Sequence, residues 1–182
     1  MFSEKEKQLL ASISRDALSA AVNQQPYSSP IPDDANLQLH CGCFVTLKTK
    51  GNLRGCIGCF SSDRPIYETV ANYTRISALE DPRFSKNRIM PAELPLVEMD
   101  VSVLTPLAEC KNPEGISLGI DGIYVQKGMR SGCFLPQVAT ETGWNVGEFW
   151  GHCCRDKAGL PWDAWKQPDV VCQTFTAEII DC

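Results

Sequence analysis

The chain has 182 residues, 43% of them hydrophobic, with a formal net charge of −5 and a pI near 5.1. That is enough apolar material for one substantial core or two small lobes, and too little for two independent enzymes. The acidic balance, without any block of like charges, argues against a nucleic-acid surface.

From the N-terminus, Ser3 followed three residues later by Glu6 is a capping-box pattern, and Leu9, Leu10, Ile13, Ala17 and Ala21 recur at helical spacing, predicting a helix to about Val22. Asn23 to Asn36 carries Pro26, Pro30 and Pro32 and reads as a surface loop. The runs Leu37 to Leu47 and Leu53 to Phe60 flank a Lys-Thr-Lys-Gly-Asn turn and predict a β-hairpin. Ser61, Ser62 and Asp63 offer N-cap acceptors before Pro65, and Ile66, Val70, Tyr73 and Ser77 line a helix that Asp81-Pro82 stops, so the second strand is expected to run straight into a helix N-terminus. Val97 to Val103 alternates as a strand with one polar face. Ile123-Tyr124-Val125 and Cys133-Phe134-Leu135 flank Gly128 to Gly132 as a second hairpin, short helices follow from Pro136, and Thr174 to Ile180 closes as a strand. Strands that come in hairpins favour an α+β domain with antiparallel or mixed β-sheets flanked by helices over a doubly wound fold.

Asn52-Leu53-Arg54-Gly55-Cys56-Ile57-Gly58 is the stretch that packing alone does not account for. Gly55 and Gly58 forfeit side-chain packing, which in a strand marks a bulge or a close backbone approach. On an unbroken strand Arg54 and Cys56 share one face, so a guanidinium is expected beside the thiol, where it favours the nucleophilic thiolate. A cysteine in an apolar strand also serves as a small buried hydrophobe, and the residues alone leave both readings open.

Leu53-Arg54-Gly55-Cys56-Ile57-Gly58 resembles the signature of the AMMECR-type domain family, whose prokaryotic members are called AmmeMemoRadiSam system protein A. Cys41-Gly42-Cys43-Phe44-Val45-Thr46-Leu47, Asp81-Pro82-Arg83-Phe84, Val101-Ser102-Val103-Leu104-Thr105-Pro106, Leu135-Pro136-Gln137-Val138-Ala139, Gly143-Trp144 and Lys157-Ala158-Gly159-Leu160-Pro161 match the same pattern in order. The resemblance implies a single AMMECR-type domain over residues 4–180, in two unequal lobes. It implies partnership with a MEMO-type protein and a radical SAM protein. Asn52 to Gly58, Asp81, Arg83, Gln137 and Lys157 are the residues it nominates for contact with a partner or a small anionic ligand. Gly151 to Asp156 makes the segment before Lys157 one residue longer than the family's common spacing, which weakens transfer of a role to Lys157.

Two functional classes remain open at this point. In one, the chain is a binding or adaptor module acting through the signature; in the other, Cys56 is a nucleophile or covalent carrier with Arg54 stabilising its thiolate, and redox sensing by Cys56 or structural metal binding are lesser alternatives. Arg83 either pins the turn after its helix or orients an anion. No phosphate loop, dinucleotide fingerprint, Ser-His-Asp order or radical-cluster motif is present, and no cofactor is expected. A metal on Cys41, Cys43, Cys56 and Cys59 is disfavoured because residues 56 and 59 have opposite parity on a strand. His152 beside Cys153 and Cys154 reads as core or surface packing rather than as a dyad. Met1 to Lys7 mixes both charges without the apolar stretch of an export signal, and no run approaches the roughly 18 apolar residues of a membrane span. The expectation is a cytoplasmic protein whose ten cysteines stay reduced.

Overall fold

Helix α1 (Glu4–Val22) starts, in the computed structural model, which describes residues 2–182, with the capping box its sequence predicts. The Ser3 hydroxyl accepts from the Glu6 N–H at 3.3 Å and the Glu6 carboxylate accepts from the Ser3 N–H at 2.6 Å, pairing groups the helix cannot pair itself. Leu10, Ile13, Ala17, Leu18 and Val22 are buried along one stripe. The chain divides into two compact units, the larger running up to Leu104 and taking in Glu178–Cys182, the smaller spanning Thr105–Ala177.

In the larger unit, β1 (Cys43–Thr49) pairs antiparallel with both β2 (Asn52–Cys59) and β3 (Val97–Leu104), leaving β2 at the sheet edge. The hairpin is longer than its apolar pattern suggests. Lys50 and Gly51 alone make the turn, with φ of 52° and 73°, the left-handed pair whose twist matches the flanking strands. The other end is shorter than predicted: Ala35–Gln38 is a 3₁₀ turn that drops Leu37 into the core, and the strand starts only at Cys43. Val45 and Leu47 face inward and join Leu10, Ile13, Ile66, Val70 and Val101 in one cluster.

Helix α2 (Ile66–Leu79) covers the same face, but the strand does not lead directly into it. Pro65 is the N-cap and makes no side-chain cap bond; Ser62 instead orders the preceding turn, its hydroxyl accepting from the Arg64 N–H at 3.0 Å and from the Thr69 hydroxyl at 2.8 Å. What joins α2 to the sheet is near the helix's other end. A Cβ on Gly55 would lie 2.1 Å from the Ser77 carbonyl oxygen, so β2 and the α2 backbone touch there without a side chain between them. The Ser77 hydroxyl accepts from the Ile57 N–H at 3.0 Å and donates to the Val45 carbonyl at 2.9 Å.

The smaller unit contains β4 (Ala108–Glu109), the predicted second hairpin as β5 (Asp121–Lys127) and β6 (Arg130–Phe134), and most of β7 (Val171–Asp181). β7 pairs antiparallel with β5 and β4, and it is longer at both ends than its apolar pattern indicated. Two short helices follow the hairpin: α3 (Pro136–Thr142), ended by Gly143 at φ 71°, and α4 (Val146–His152). Ile123, Val125, Phe149 and Trp150 are fully buried here, and the Trp150 indole N–H donates to the Pro113 carbonyl at 2.8 Å. α4 passes into a π-turn, Cys153–Lys157, closed by the Ala158 N–H on the Cys153 carbonyl at 3.1 Å. A turn bonded five residues apart holds one residue more than an α-turn.

The fold is α+β with antiparallel pairing, and among the described residues no helix is long and apolar enough to cross a membrane. Gly55→Ala is expected to lower unfolding stability in urea by about 2 kcal/mol, because the added methyl meets backbone rather than a movable side chain. Gly147→Ala is the control. Its Cβ meets only the Asn145 side-chain oxygen at 3.4 Å, and the change should be neutral or mildly stabilising.

Candidate functional site

The strand that carries the signature is not regular. Leu47 pairs with Gly55 while Lys48 pairs with Leu53, so Arg54 is the extra residue of a β-bulge. The bulge breaks the alternation on which the expected Arg54–Cys56 pairing rests. Arg54 is 8% exposed and salt-bridged to Glu93, with Nη1 2.6 Å from Oε1 and Nη2 3.3 Å from Oε2. Its Nη2 also donates to the carbonyls of Asn87 and Arg88 at 3.3 and 3.2 Å. The Glu93 carboxyl is held below its usual range, first by Arg54 and then by the Met90 N–H. Arg54 therefore fastens β2 to the segment leading to β3, and its charge is spent there.

A different arginine stands beside Cys56. Asp81, 3% exposed, accepts the Cys56 N–H at 3.0 Å and a fork from Arg83, Nε at 3.0 Å and Nη2 at 2.7 Å. Arg83 Nη2 also donates to the Cys56 carbonyl at 3.1 Å. Both outward main-chain groups of Cys56 are thus held by one ion pair. Arg83 keeps the Asp81 carboxyl below its usual range, against the opposing effect of burial, and the Cys56 and Arg83 N–H groups add to it. The guanidinium of Arg83 is in turn held charged, chiefly by Asp81 and further by Cys56. On the other side the Thr46 hydroxyl is 3.4 Å from the Cys56 sulfur.

A clamped, half-buried thiol at a bulged edge strand is the geometry on which residues 52–58 converge. The match to AMMECR1 spans residues 11–180. The chain belongs to the AMMECR1 family. A protein of Methanothermobacter thermautotrophicus is 40% identical over 82% of this chain and 80% of its own length. One of Methanopyrus kandleri is 37% identical over 97% of this chain and 88% of its own. The crystal structure titled "Uncharacterized Protein PH0010" from Pyrococcus horikoshii is similar at a TM-score of 0.89 and 34% identity, covering 98% of this chain and 92% of that one.

Within Asn52–Gly58 the remaining residues are mainly structural. Asn52 and Leu53 are exposed at the start of β2, Leu53 to 38%. Gly55 admits the α2 backbone and Ile57 gives its N–H to Ser77. A Cβ on Gly58 would lie 2.1 Å from the Cys43 carbonyl oxygen. Gln137 and Lys157 belong to the smaller unit, Gln137 in the first turn of α3 and Lys157 at the end of the π-turn, its ammonium 5.3 Å from the centre of the Phe134 ring. His152 is occupied by Asp156, with Nδ1 2.7 Å from Oδ2, and stacks on Trp144 with centroids 3.9 Å apart, while Cys153 and Cys154 are buried. Among the described residues no group of three or more His, Cys, Asp or Glu could hold a metal ion.

Sequence reasoning missed Glu93 and Thr46. Glu93 had a detectable signal, since it stands three residues after Met90 behind Pro91 and caps its own 3₁₀ helix. Thr46 had only its register opposite Cys56.

Asp81→Asn should cost about 2 kcal/mol at neutral pH, the scale of lost charge-assisted hydrogen bonds. The sign with pH follows from the lowered carboxyl. Its contribution is present above the unfolded value of about 4 and disappears as pH falls through the folded one. Urea melts of wild type and variant should therefore converge as pH drops below about 4.

Proposed function

We propose that the chain is a binding module that presents the surface around Cys56 to a protein partner, with the MEMO-type and radical SAM proteins as the partners its family resemblance nominates. The observation that carries this reading is the occupation of the signature's polar groups. Arg54 is committed to Glu93, and the Cys56 backbone is committed to Asp81 and Arg83. What stands beside Cys56 is the Thr46 hydroxyl, 3.4 Å from the sulfur, and the Arg83 guanidinium on the Cys56 carbonyl. Neither accepts a proton at neutral pH, so neither serves as the base that a thiol nucleophile ordinarily uses. The arrangement holds a surface in one shape, which suits recognition.

One observation favours a second reading. The Arg83 guanidinium lies beside Cys56, donating to its carbonyl at 3.1 Å, a cation placed to offset negative charge on a group carried there, which would suit Cys56 as a covalent carrier. The residue that tests it is Arg83 rather than Arg54.

Binding to the MEMO-type and radical SAM proteins of the same organism, measured by calorimetry, separates the two. Leu53→Asp and Arg83→Gln are expected to weaken binding by roughly tenfold or more, while Arg54→Met lowers the melting temperature through lost bracing. Unchanged affinity in both surface variants, together with iodoacetamide labelling of Cys56 ahead of the other cysteines that slows in Arg83→Gln, would replace the binding reading with the covalent one.

A further inference from the structure

The open end of the signature hairpin holds a second sulfur arrangement, separate from Cys56. Cys43 and Cys59 are directly opposite each other in the β1–β2 register. Because the N–H and C=O of Cys56 point outward to Asp81 and Arg83, Thr46 and Cys56 form a non-hydrogen-bonded pair. Alternation then makes Cys43 and Cys59 a hydrogen-bonded pair, for which Cα atoms lie about 5.5 Å apart. That spacing falls within the range of about 4.4–6.8 Å that a disulfide spans.

The two strands approach each other closely at this end. A Cβ on Gly42 would lie 2.3 Å from the Cys59 carbonyl oxygen and one on Gly58 would lie 2.1 Å from the Cys43 carbonyl oxygen, so the two backbones are already in contact on both sides of the pair. Both sulfurs are on the helix side of the sheet. Cys43 shares the parity of Val45 and Leu47 and is fully buried, while Cys59 meets Tyr73 of α2. The Tyr73 hydroxyl is pushed up to about 12, by burial first and then by its hydrogen bond to Cys59. Cys41 completes the group: burial raises its thiol, and a charge on Cys59 raises it further. Cys59 and Cys41 are half-buried, whereas Cys43 is closed to solvent.

We propose that Cys43 and Cys59 are a reversible dithiol–disulfide pair that a small disulfide oxidises, with Cys59 as the attacking thiol and Cys43 as the resolving one. The Cys59 thiolate attacks one sulfur of the small disulfide, whose S–S bond breaks and releases one small thiol. Cys43, losing its proton, then attacks the Cys59 sulfur of the mixed disulfide and releases the second small thiol. Two protein thiols give up two electrons and two protons, and these reduce the small disulfide to two thiols. The resulting loop from residue 43 to residue 59 encloses the whole of Asn52–Gly58, so oxidation would lock the strand that carries Cys56. Burial of Cys43, which holds its thiol well above the usual range, makes the second step the slow one.

The test is titration of the full-length, reduced chain with oxidised glutathione, followed by alkylation and non-reducing peptide mapping. The expected result is loss of two alkylatable thiols, a Cys43–Cys59 linked peptide and full reversal by dithiothreitol. Cys41→Ser should leave the linkage intact. Cys43→Ala, in which a small apolar residue keeps the core site filled, should stop at a glutathione adduct on Cys59. Ten free thiols after prolonged exposure, an adduct on Cys59 that never resolves in the wild type, or a linkage through Cys41 or Cys56 would each overturn the pairing. Thermal melts of the variants in reducing buffer keep a folding defect distinguishable from a chemical one.

Discussion

The contact that everything at the site depends on is the one between the α2 backbone and β2 at Gly55. A helix normally packs on a sheet through side chains on both, at a separation of about 10 Å. Here one residue contributes no side chain and the helix carbonyl of Ser77 comes down to the strand itself. The Ser77 hydroxyl then bonds to main-chain groups of both β1 and β2. Because the helix is seated this low, the chain leaving it at Glu80 arrives beside the strand edge, and the Asp81 carboxylate reaches the Cys56 N–H. A methyl group at position 55 would lift the helix and carry Asp81 away from the strand.

The two arginines of the site divide the work that sequence spacing assigned to one. Arg54 is nearly sealed from solvent and bonded to a carboxylate and two carbonyls, the pattern of a structural brace. Arg83 has half of its side chain exposed while its fork rests on a buried carboxylate. A cation in that position keeps its charge and its orientation and still faces outward. The reversal of roles comes from a single inserted residue, the bulge at Arg54, which changes the face of everything before it relative to everything after it.

The parts of the molecule that were legible in the sequence were those governed by periodicity and by turn chemistry. α1 with its capping box, the two hairpins and the antiparallel α+β class all follow from such patterns, whereas the alternation of β3 holds only as far as Val101, beyond which Ser102 on the expected polar face is buried too. The family was legible from the motif order and the match over residues 11–180 supports it. Cys56, Asp81 and Arg83 were nominated and do come together. The bulge was not legible, because Gly55 signals an irregularity without saying which residue is extra. Leu37 misled because a single apolar residue at the end of a 3₁₀ turn looks the same in sequence as the first residue of a strand. Ser62 spends its hydroxyl on the Arg64 N–H and the Thr69 hydroxyl instead of on a main-chain N–H at the start of α2, a competition that short polar side chains offer and that residue order alone does not settle.

The position of β2 at the sheet edge has one more implication. An edge strand ordinarily exposes a row of N–H and C=O groups, which invites a foreign strand to extend the sheet, by design in peptide-binding domains and by accident in aggregates. At Cys56 both of those groups already have partners, Asp81 for the donor and Arg83 for the acceptor. The pair behaves as a short artificial strand, capping the edge with side chains where a neighbouring backbone would lie. A protein that docks at this surface is therefore denied main-chain pairing at the signature cysteine. It has to read side chains and shape, and the same cap protects the protein against sheet-to-sheet self-association.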